Sequence, residues 1–253
     1  MGTAGAVTTI LEKAYRDPNG RIIITNNSQK GKWLLEGYQA AAASVFRWFK
    51  EELGTAEAAE AKERGLDAYD LICERAAGAP AGAKGLVFLP YFASAATPRY
   101  DPSARGVLLG LTFAHDRACV ARAFMEGITL DMRDMINAIR AAGTSVDTVR
   151  LLGGPTKSAF WNQIQADVYG VTVETLKVGD ATVLGAAVMG GVEAGHFRDL
   201  AEGAATMIKV DRRFEPDPVK AVMYNEIYEA YCSAYEGLAS GGTFARIAAL
   251  QSR

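Results

Sequence analysis

The sequence predicts an α/β domain: a mixed five-stranded sheet with helices on both faces and a helical insert. Three observations carry that prediction. Residues 7–35 hold three short extended segments broken by turn residues. Residues 148–194 hold two strand–helix units in succession. Between these blocks the chain is rich in alanine and other strong helix formers.

In chain order, Val7 to Leu11, then Ile22 to Thr25, then Trp33 to Leu35 read as strands. Asp17-Pro18-Asn19-Gly20 and Asn26-Asn27-Ser28 separate them, residues that favour tight turns, so a short antiparallel meander is expected. An alanine-rich helix follows from Tyr38 to Leu53, with Val45, Phe46, Trp48 and Phe49 as its bulky side chains. Glu57 to Ala77 reads as one or two surface helices, the core of an insert near 55–85, and Gly78 to Gly85 as a flexible link and the main internal break. Leu86 to Leu89 is extended, a loop carries Thr97-Pro98 and Asp101-Pro102, and Gly106 to Leu111 is apolar. Asp116 then caps a long helix running through Arg140. After the strand at Val149 come a helix to Tyr169, a strand from Val171 to Leu176 and a helix from Ala181 to Ala194. Gly185, Gly190 and Gly191 lie inside that last helix, where each costs about 1 kcal/mol relative to alanine. A close backbone approach to another element or a ligand would account for them, with tight packing of the helix on the sheet the favoured alternative for Gly190 and Gly191. Asp211 to Pro218 and a helix from Val219 to Leu238 are expected to pack back across the domain, and the last dozen residues to fray.

The segment from Gly153 to Gly170 is the most telling. Thr148 to Leu152 form a β-branched, apolar strand, and Phe160, Trp161, Ile164 and Val168 recur at helical spacing. Between them Gly153 and Gly154 have no Cβ, so a flat base or a phosphate can lie against the backbone, and Ser158 can cap the helix. A nucleotide is the ligand this suits, although two glycines can equally do no more than close a strand-to-helix turn.

Composition narrows the choices. With 253 residues, 49% apolar residues and a net charge of −2, the chain suits a globular domain with a sizeable core. The charge argues against broad attraction to nucleic acid or an anionic membrane. Cys73, Cys119 and Cys232 are widely spaced and form neither a disulfide framework nor a zinc pattern, which fits a reducing cytoplasm. No apolar run is long enough for a membrane span, and no signal-peptide pattern opens the sequence.

Three antiparallel strands, a helix, an insert and then two strand–helix units are the order of the ribonuclease H-like half of actin-like ATPases, two of which face each other around a nucleotide. The residues go further and resemble the C-terminal half of the FGGY carbohydrate kinases, nearest to xylulokinase-like members. Gly2-Thr3-Ala4-Gly5 resembles that family's phosphate loop. Lys32 to Gly37 with Arg47-Trp48 resembles its next strand and helix, and Leu89-Pro90-Tyr91 with Thr97-Pro98 and Asp101 to Gly106 resembles its central loop. Gly106 to Gly127 is similar to its second signature and Gly153 to Asp167 to its adenosine motif.

The resemblance implies an ATP-binding half of a kinase that passes the γ-phosphate of ATP to a sugar hydroxyl, a pentulose such as xylulose, with Mg²⁺ carried by the nucleotide. It implies that Gly2 and Thr3 meet the terminal phosphates, that Gly153, Gly154, Pro155 and Ser158 surround the adenine, and that Ala43 and Arg47 line the nucleotide from the opposite side. Taken without the family, Arg47 reads as a solvated surface cation. Ser94-Ala95-Ala96, Pro155, Cys119 and Phe124 depart from the family pattern and mark a divergent member.

In the family the aspartate that takes the proton from the attacking hydroxyl lies shortly before the phosphate loop, so it is expected before Met1, and the sugar-binding N-terminal domain is expected to be absent. The chain then reads as an expressed fragment, a truncated reading frame or one subunit of a split enzyme, inactive alone. Among internal carboxylates, Asp116 is assigned to capping, Asp167 to a local pair, and Asp131 with Asp134 to a solvated helix face. Asp101 and Asp180 have no evident partner. His115 and His196 are too far apart in sequence to suggest a metal pair, and no protein-held metal is expected. The competing readings are a non-catalytic nucleotide-binding or assembly module, with a possible homodimer, and a decayed gene product.

Overall fold

The computed structural model describes residues 2–252. Its centre is one helix. α4 (Arg117–Ala141) begins where the Asp116 side chain accepts the Cys119 amide at 2.9 Å, as expected of that cap. Residues on most of its circumference are buried, from Cys119 to Ile139, because strands and helices pack around it. Gly127 is required there: a Cβ would stand 2.3 Å from the Phe88 carbonyl oxygen, so only glycine lets β4 (Val87–Leu89) lie this close.

The first sheet holds β1 (Gly5–Leu11), β2 (Ile23–Asn26) and β3 (Trp33–Gln39), all antiparallel, in the order β1-β3-β2. The expected meander is therefore corrected. Burial decides the order: Leu35 is fully buried and β3 takes the centre, whereas β2 is mostly exposed and takes the edge. The helix expected from Tyr38 starts only at α1 (Ala43–Trp48), since Tyr38 and Gln39 remain in β3. Tertiary bonds override helix propensity at that point: the Tyr38 amide donates to Thr97 Oγ1 and the Thr97 amide to the Tyr38 carbonyl, both at 3.0 Å. A π-helical turn (Phe49–Leu53) continues α1.

The insert region forms α2 (Thr55–Arg64) and α3 (Ala68–Ala77). α3 is no surface helix, because Leu71, Ile72, Cys73 and Ala76 are buried. Nor is 78–85 a break. Ala79 and Ala83 are buried in the main core, and the Gly82 amide donates to Glu126 Oε1 at 3.0 Å. That carboxylate also accepts Arg122 Nε at 2.7 Å and the Tyr224 hydroxyl at 2.6 Å, while Arg122 donates to the Ala79 carbonyl at 2.6 Å. The segment is thus pinned to α4 and to α8 (Pro218–Ser240).

β4 pairs antiparallel with β5 (Val107–Leu109). The last sheet has β6 (Thr148–Leu151) parallel to β7 (Thr172–Leu176), and β8 (Val210–Phe214) antiparallel on the far side of β7. Strand β8 lies in the segment left unassigned by the sequence pattern. Among the described residues the strands form sheets of three, two and three, not the single five-stranded sheet expected. The two three-stranded sheets each end on an unpaired edge, at β1 and at β6, and a cavity of about 580 Å³ separates those edges.

α5 (Ala159–Tyr169) and α6 (Ala181–Glu193) follow β6 and β7 as expected. In α6 a Cβ on Gly191 would meet the Phe197 ring at 2.6 Å, whereas Gly185 and Gly190 face open space, so Gly191 packs tightly against the loop after α6 and not on the sheet, and packing does not explain Gly190. α7 (Leu200–Met207) was not legible beforehand; Asp199 caps it. α8 packs across the domain through fully buried Tyr224 and Tyr231. The expected fraying end is instead α9 (Thr243–Gln251), anchored by buried Phe244.

Asp131 and Asp134 give the sharpest correction, because neither sits on a solvated face. Asp131 is buried, accepts the Tyr231 hydroxyl at 3.0 Å, and that hydroxyl shares a 2.6 Å bond with Tyr91. Asp134 accepts the Tyr228 hydroxyl at 2.5 Å and pairs with Arg99 at 2.9 Å. Loss of solvent and the neighbouring Asp134 charge push the Asp131 carboxyl up to about 7. The tyrosines responsible are supplied by α8, about a hundred residues further along the chain.

Candidate nucleotide site

The carboxyl ends of neighbouring parallel strands form the usual binding crevice of an α/β sheet, and β6 and β7 end side by side here. β6 runs into Gly153, whose φ of 92° is a backbone state that other residues adopt only with strain. A 3₁₀ turn (Gly154–Lys157) follows and leads into α5. The turn is held rigidly: Thr156 Oγ1 donates to the Gly153 carbonyl at 2.7 Å and Asn162 Nδ2 to the Thr156 carbonyl at 2.8 Å. Ser158 Oγ accepts the Trp161 amide at 3.2 Å, which makes it the helix cap.

A groove of about 710 Å³ lies beside this turn, lined by Gly2, Gly153 and Gly154 together with residues that follow β7. A Cβ on Gly154 would meet nothing within 4 Å, so the backbone there borders open space. Lys157, Lys177 and Arg212 bring positive charge to the rim, and all three are exposed. Asp180 and Asp211 also line the groove. Asp180 is committed to the α6 cap through the Val183 amide at 3.1 Å, and Asp211 lies 3.5 Å from Arg212. Thr175 borders the groove too, with its Oγ1 shielded from solvent and without a protein partner among the described residues. An open glycine wall and a cationic rim fit a polyphosphate ester.

The residues singled out from sequence fall in different places. Gly2, Gly153 and Gly154 come together at the groove. Ala43 is tied to Gly2 through its backbone: the Ala43 amide donates to the Gly2 carbonyl and the Ala42 amide to the Thr3 carbonyl, each at 3.0 Å. Ser44 Oγ adds a 2.8 Å bond to the same Thr3 carbonyl, fixing the amino-terminal turn on α1. Thr3 itself is exposed. Ala43, Arg47, Pro155 and Ser158 do not line the groove; Arg47 is an exposed cation on α1, and Pro155 borders the cavity on the β1 side.

Lys177, Thr175 and Arg212 were missed. Lys177 and Thr175 were findable, since both stand at the end of a strand parallel to β6. Arg212 was not, because its strand went unrecognised. Among the described residues no three His, Cys, Asp or Glu side chains cluster as a metal site, and no helix is long and apolar enough to cross a membrane.

Carbohydrate kinases are among the known proteins that share this sequence pattern and this fold. The chain is 32% identical over 235 residues to a xylulose kinase of Bacillus subtilis, covering 93% of this chain and 45% of that protein. It is 28% identical over 228 residues to a gluconokinase of the same organism, covering 90% and 44%. The crystal structure of a ligand-bound xylulose kinase from Lactobacillus acidophilus superposes with a TM-score of 0.83 at 28% identity, covering 94% of this chain and 46% of that one. The chain thus spans about half the length of the relatives it matches. Residues 1–194 match the C-terminal domain of the FGGY family of carbohydrate kinases, and the chain belongs to that family.

Proposed function

We propose that residues 1–253 form the ATP-binding domain of a carbohydrate kinase of ribonuclease H-like architecture, which presents the γ-phosphate of ATP to a sugar hydroxyl. The observation that carries this reading is the groove that joins Gly2 to Gly153 and Gly154 under a rim of Lys157, Lys177 and Arg212. Bound there, ATP supplies the phosphoryl group, with Mg²⁺ accompanying its phosphates. The chain's own part is to hold the base against glycine backbone and to offset phosphate charge with the three cations. A pentulose such as xylulose is the favoured acceptor: the xylulose kinase of Bacillus subtilis is 32% identical over 93% of this chain, and the solved xylulose kinase of Lactobacillus acidophilus shares the fold. Such a role belongs in the cytoplasm, where ATP is available.

Phosphoryl transfer also needs a base beside the acceptor hydroxyl. Of the carboxylates in the groove, one caps a helix and the other pairs with Arg212. We infer that the base and the sugar contacts come from outside these residues, and that the isolated chain turns nothing over. Titration calorimetry with ADP and with Mg·ATP tests the first half of the reading, and a coupled ADP-release assay with D-xylulose tests the second. Saturable heat at micromolar to millimolar nucleotide without turnover is expected. Absence of heat at millimolar nucleotide refutes the site, and sugar-dependent turnover refutes the missing base.

A further inference from the structure

The peptide that joins Gly153 to Gly154 is the least constrained link in the groove wall. Neither residue carries a Cβ, so the plane of that peptide can turn over at little steric cost, and Gly153 already sits at a φ of 92°. Left alone, such a link samples several orientations. The structure holds it in one. Its carbonyl accepts two bonds from the same residue, from the Thr156 amide at 3.2 Å and from Thr156 Oγ1 at 2.7 Å.

Thr156 is itself fixed from both sides. Pro155 before it has a locked φ at the start of the 3₁₀ turn, and the Pro155 carbonyl accepts the Ser158 amide at 3.1 Å. On the other side, Asn162 Nδ2 donates to the Thr156 carbonyl at 2.8 Å from a fully buried residue. Asn162 lines neither the groove nor the neighbouring cavity, so its bond serves the turn and not a ligand. A trans peptide points its C=O and its N–H in opposite directions. With the Gly153 carbonyl turned onto Thr156, the Gly154 amide faces the other way, and Gly154 borders the groove where a Cβ would find nothing within 4 Å.

We propose that Thr156 is a positioning residue of the nucleotide groove: its hydroxyl locks the Gly153–Gly154 peptide in the orientation that presents the Gly154 amide to the ligand. The side chain acts through the backbone. Preorganisation of this kind raises affinity by sparing the ligand the cost of ordering the turn. The hydroxyl contributes about one hydrogen bond, so its loss corresponds to about a fivefold change in affinity. Because the turn forms the glycine wall against which the base rests, adenosine and ADP are affected alike. The inference rests on the nucleotide reading of the groove and adds to it which side chain sets the shape of the wall.

The test compares wild type with Thr156→Val, which keeps the β-branched shape and loses the donor, and with Thr156→Ser, which keeps the donor. Calorimetry with adenosine and with ADP is expected to show Thr156→Val about fivefold weaker for both ligands, and Thr156→Ser within about twofold of wild type. Melting temperatures of all three are expected to agree, since this bond closes a surface turn. In the ligand-free protein, the nuclear magnetic resonance signal of the Gly154 amide is expected to broaden in Thr156→Val alone, as the peptide begins to turn over. Thr156→Val binding as tightly as wild type overturns the proposal, and so does Thr156→Ser binding as weakly as Thr156→Val. Weaker binding with an unchanged Gly154 signal also overturns it, because the hydroxyl then acts by touching the ligand. No heat from wild type refutes the groove itself and this inference with it, whereas wild-type binding together with any of the other adverse results refutes the inference alone.

Discussion

Replacing Asp131 with asparagine is expected to abolish a pH dependence of stability, not simply to lower stability. The folded carboxyl keeps its proton up to about pH 7, because burial and the nearby Asp134 charge outweigh the Tyr231 bond and the Arg99 cation. Tyr91, bonded to Tyr231, and Gln39 complete its surroundings. In the unfolded chain the same group loses its proton near the ordinary aspartate value of 3.8. Between those two pH values the folded state binds more protons, so stability falls as pH rises and levels off above about 7. Raising the value from 3.8 to about 7 corresponds to about 4 kcal/mol. Asparagine matches the protonated acid in shape and does not titrate. Wild type and Asp131→Asn are therefore expected to unfold within about 1 kcal/mol of each other at pH 4.5, with the variant ahead by about 3 kcal/mol at pH 8. Urea unfolding followed by tryptophan fluorescence across that range provides the measurement. Other buried acids such as Glu126, also raised by burial, are common to both proteins and cancel in the difference. Stability curves that run parallel, or a variant that loses ground at pH 8, refute the reasoning.

The remaining predictions concern the groove and the central helix. Gly154→Ala adds a methyl group where no protein atom lies within 4 Å, so the melting temperature is expected to hold while calorimetry shows ADP affinity falling about tenfold, near 1.4 kcal/mol. Unchanged affinity would remove the base from that wall. Gly127→Ala drives a methyl into the Phe88 carbonyl, a backbone atom that cannot rotate away, and is expected to cost about 3 kcal/mol in urea unfolding. Arg122→Met leaves buried Glu126 without its cation and is expected to cost about 3 kcal/mol, with Arg122→Met/Glu126→Leu regaining part of the loss. A double variant no better than the single one would show that the pair contributes more than mutual neutralisation.

What the sequence made legible was local. Asp116 and Ser158 cap the helices they precede, because a side chain that accepts an amide three residues on is a short-range bond written in neighbouring residues. The diglycine turn and its helix were legible for the same reason. Errors arose wherever distant chain decided. Asp131 and Asp134 flank Arg133 and read as a solvated face, yet α8 delivers Tyr231 and Tyr228 to them from about a hundred residues away. Tyr38 and Gln39 read as helix until the loop at Thr97 holds them in the sheet.

The order of the first three strands shows the same division. Turn chemistry located the breaks between them, but no local signal says which strand sits in the middle; that depends on which one faces α4. The candidate site follows suit. Gly153 and Gly154 were readable because they shape their own turn, and Gly2 through the resemblance of its loop, whereas Lys177, Arg212 and Thr175 reach the groove only through the pairing of β6, β7 and β8. Strand pairing is itself a non-local property. The five-stranded sheet expected from local pattern is divided between β1 and β6, whose edges face each other across a cavity, and β8 joins the second sheet from a segment whose pattern does not announce a strand.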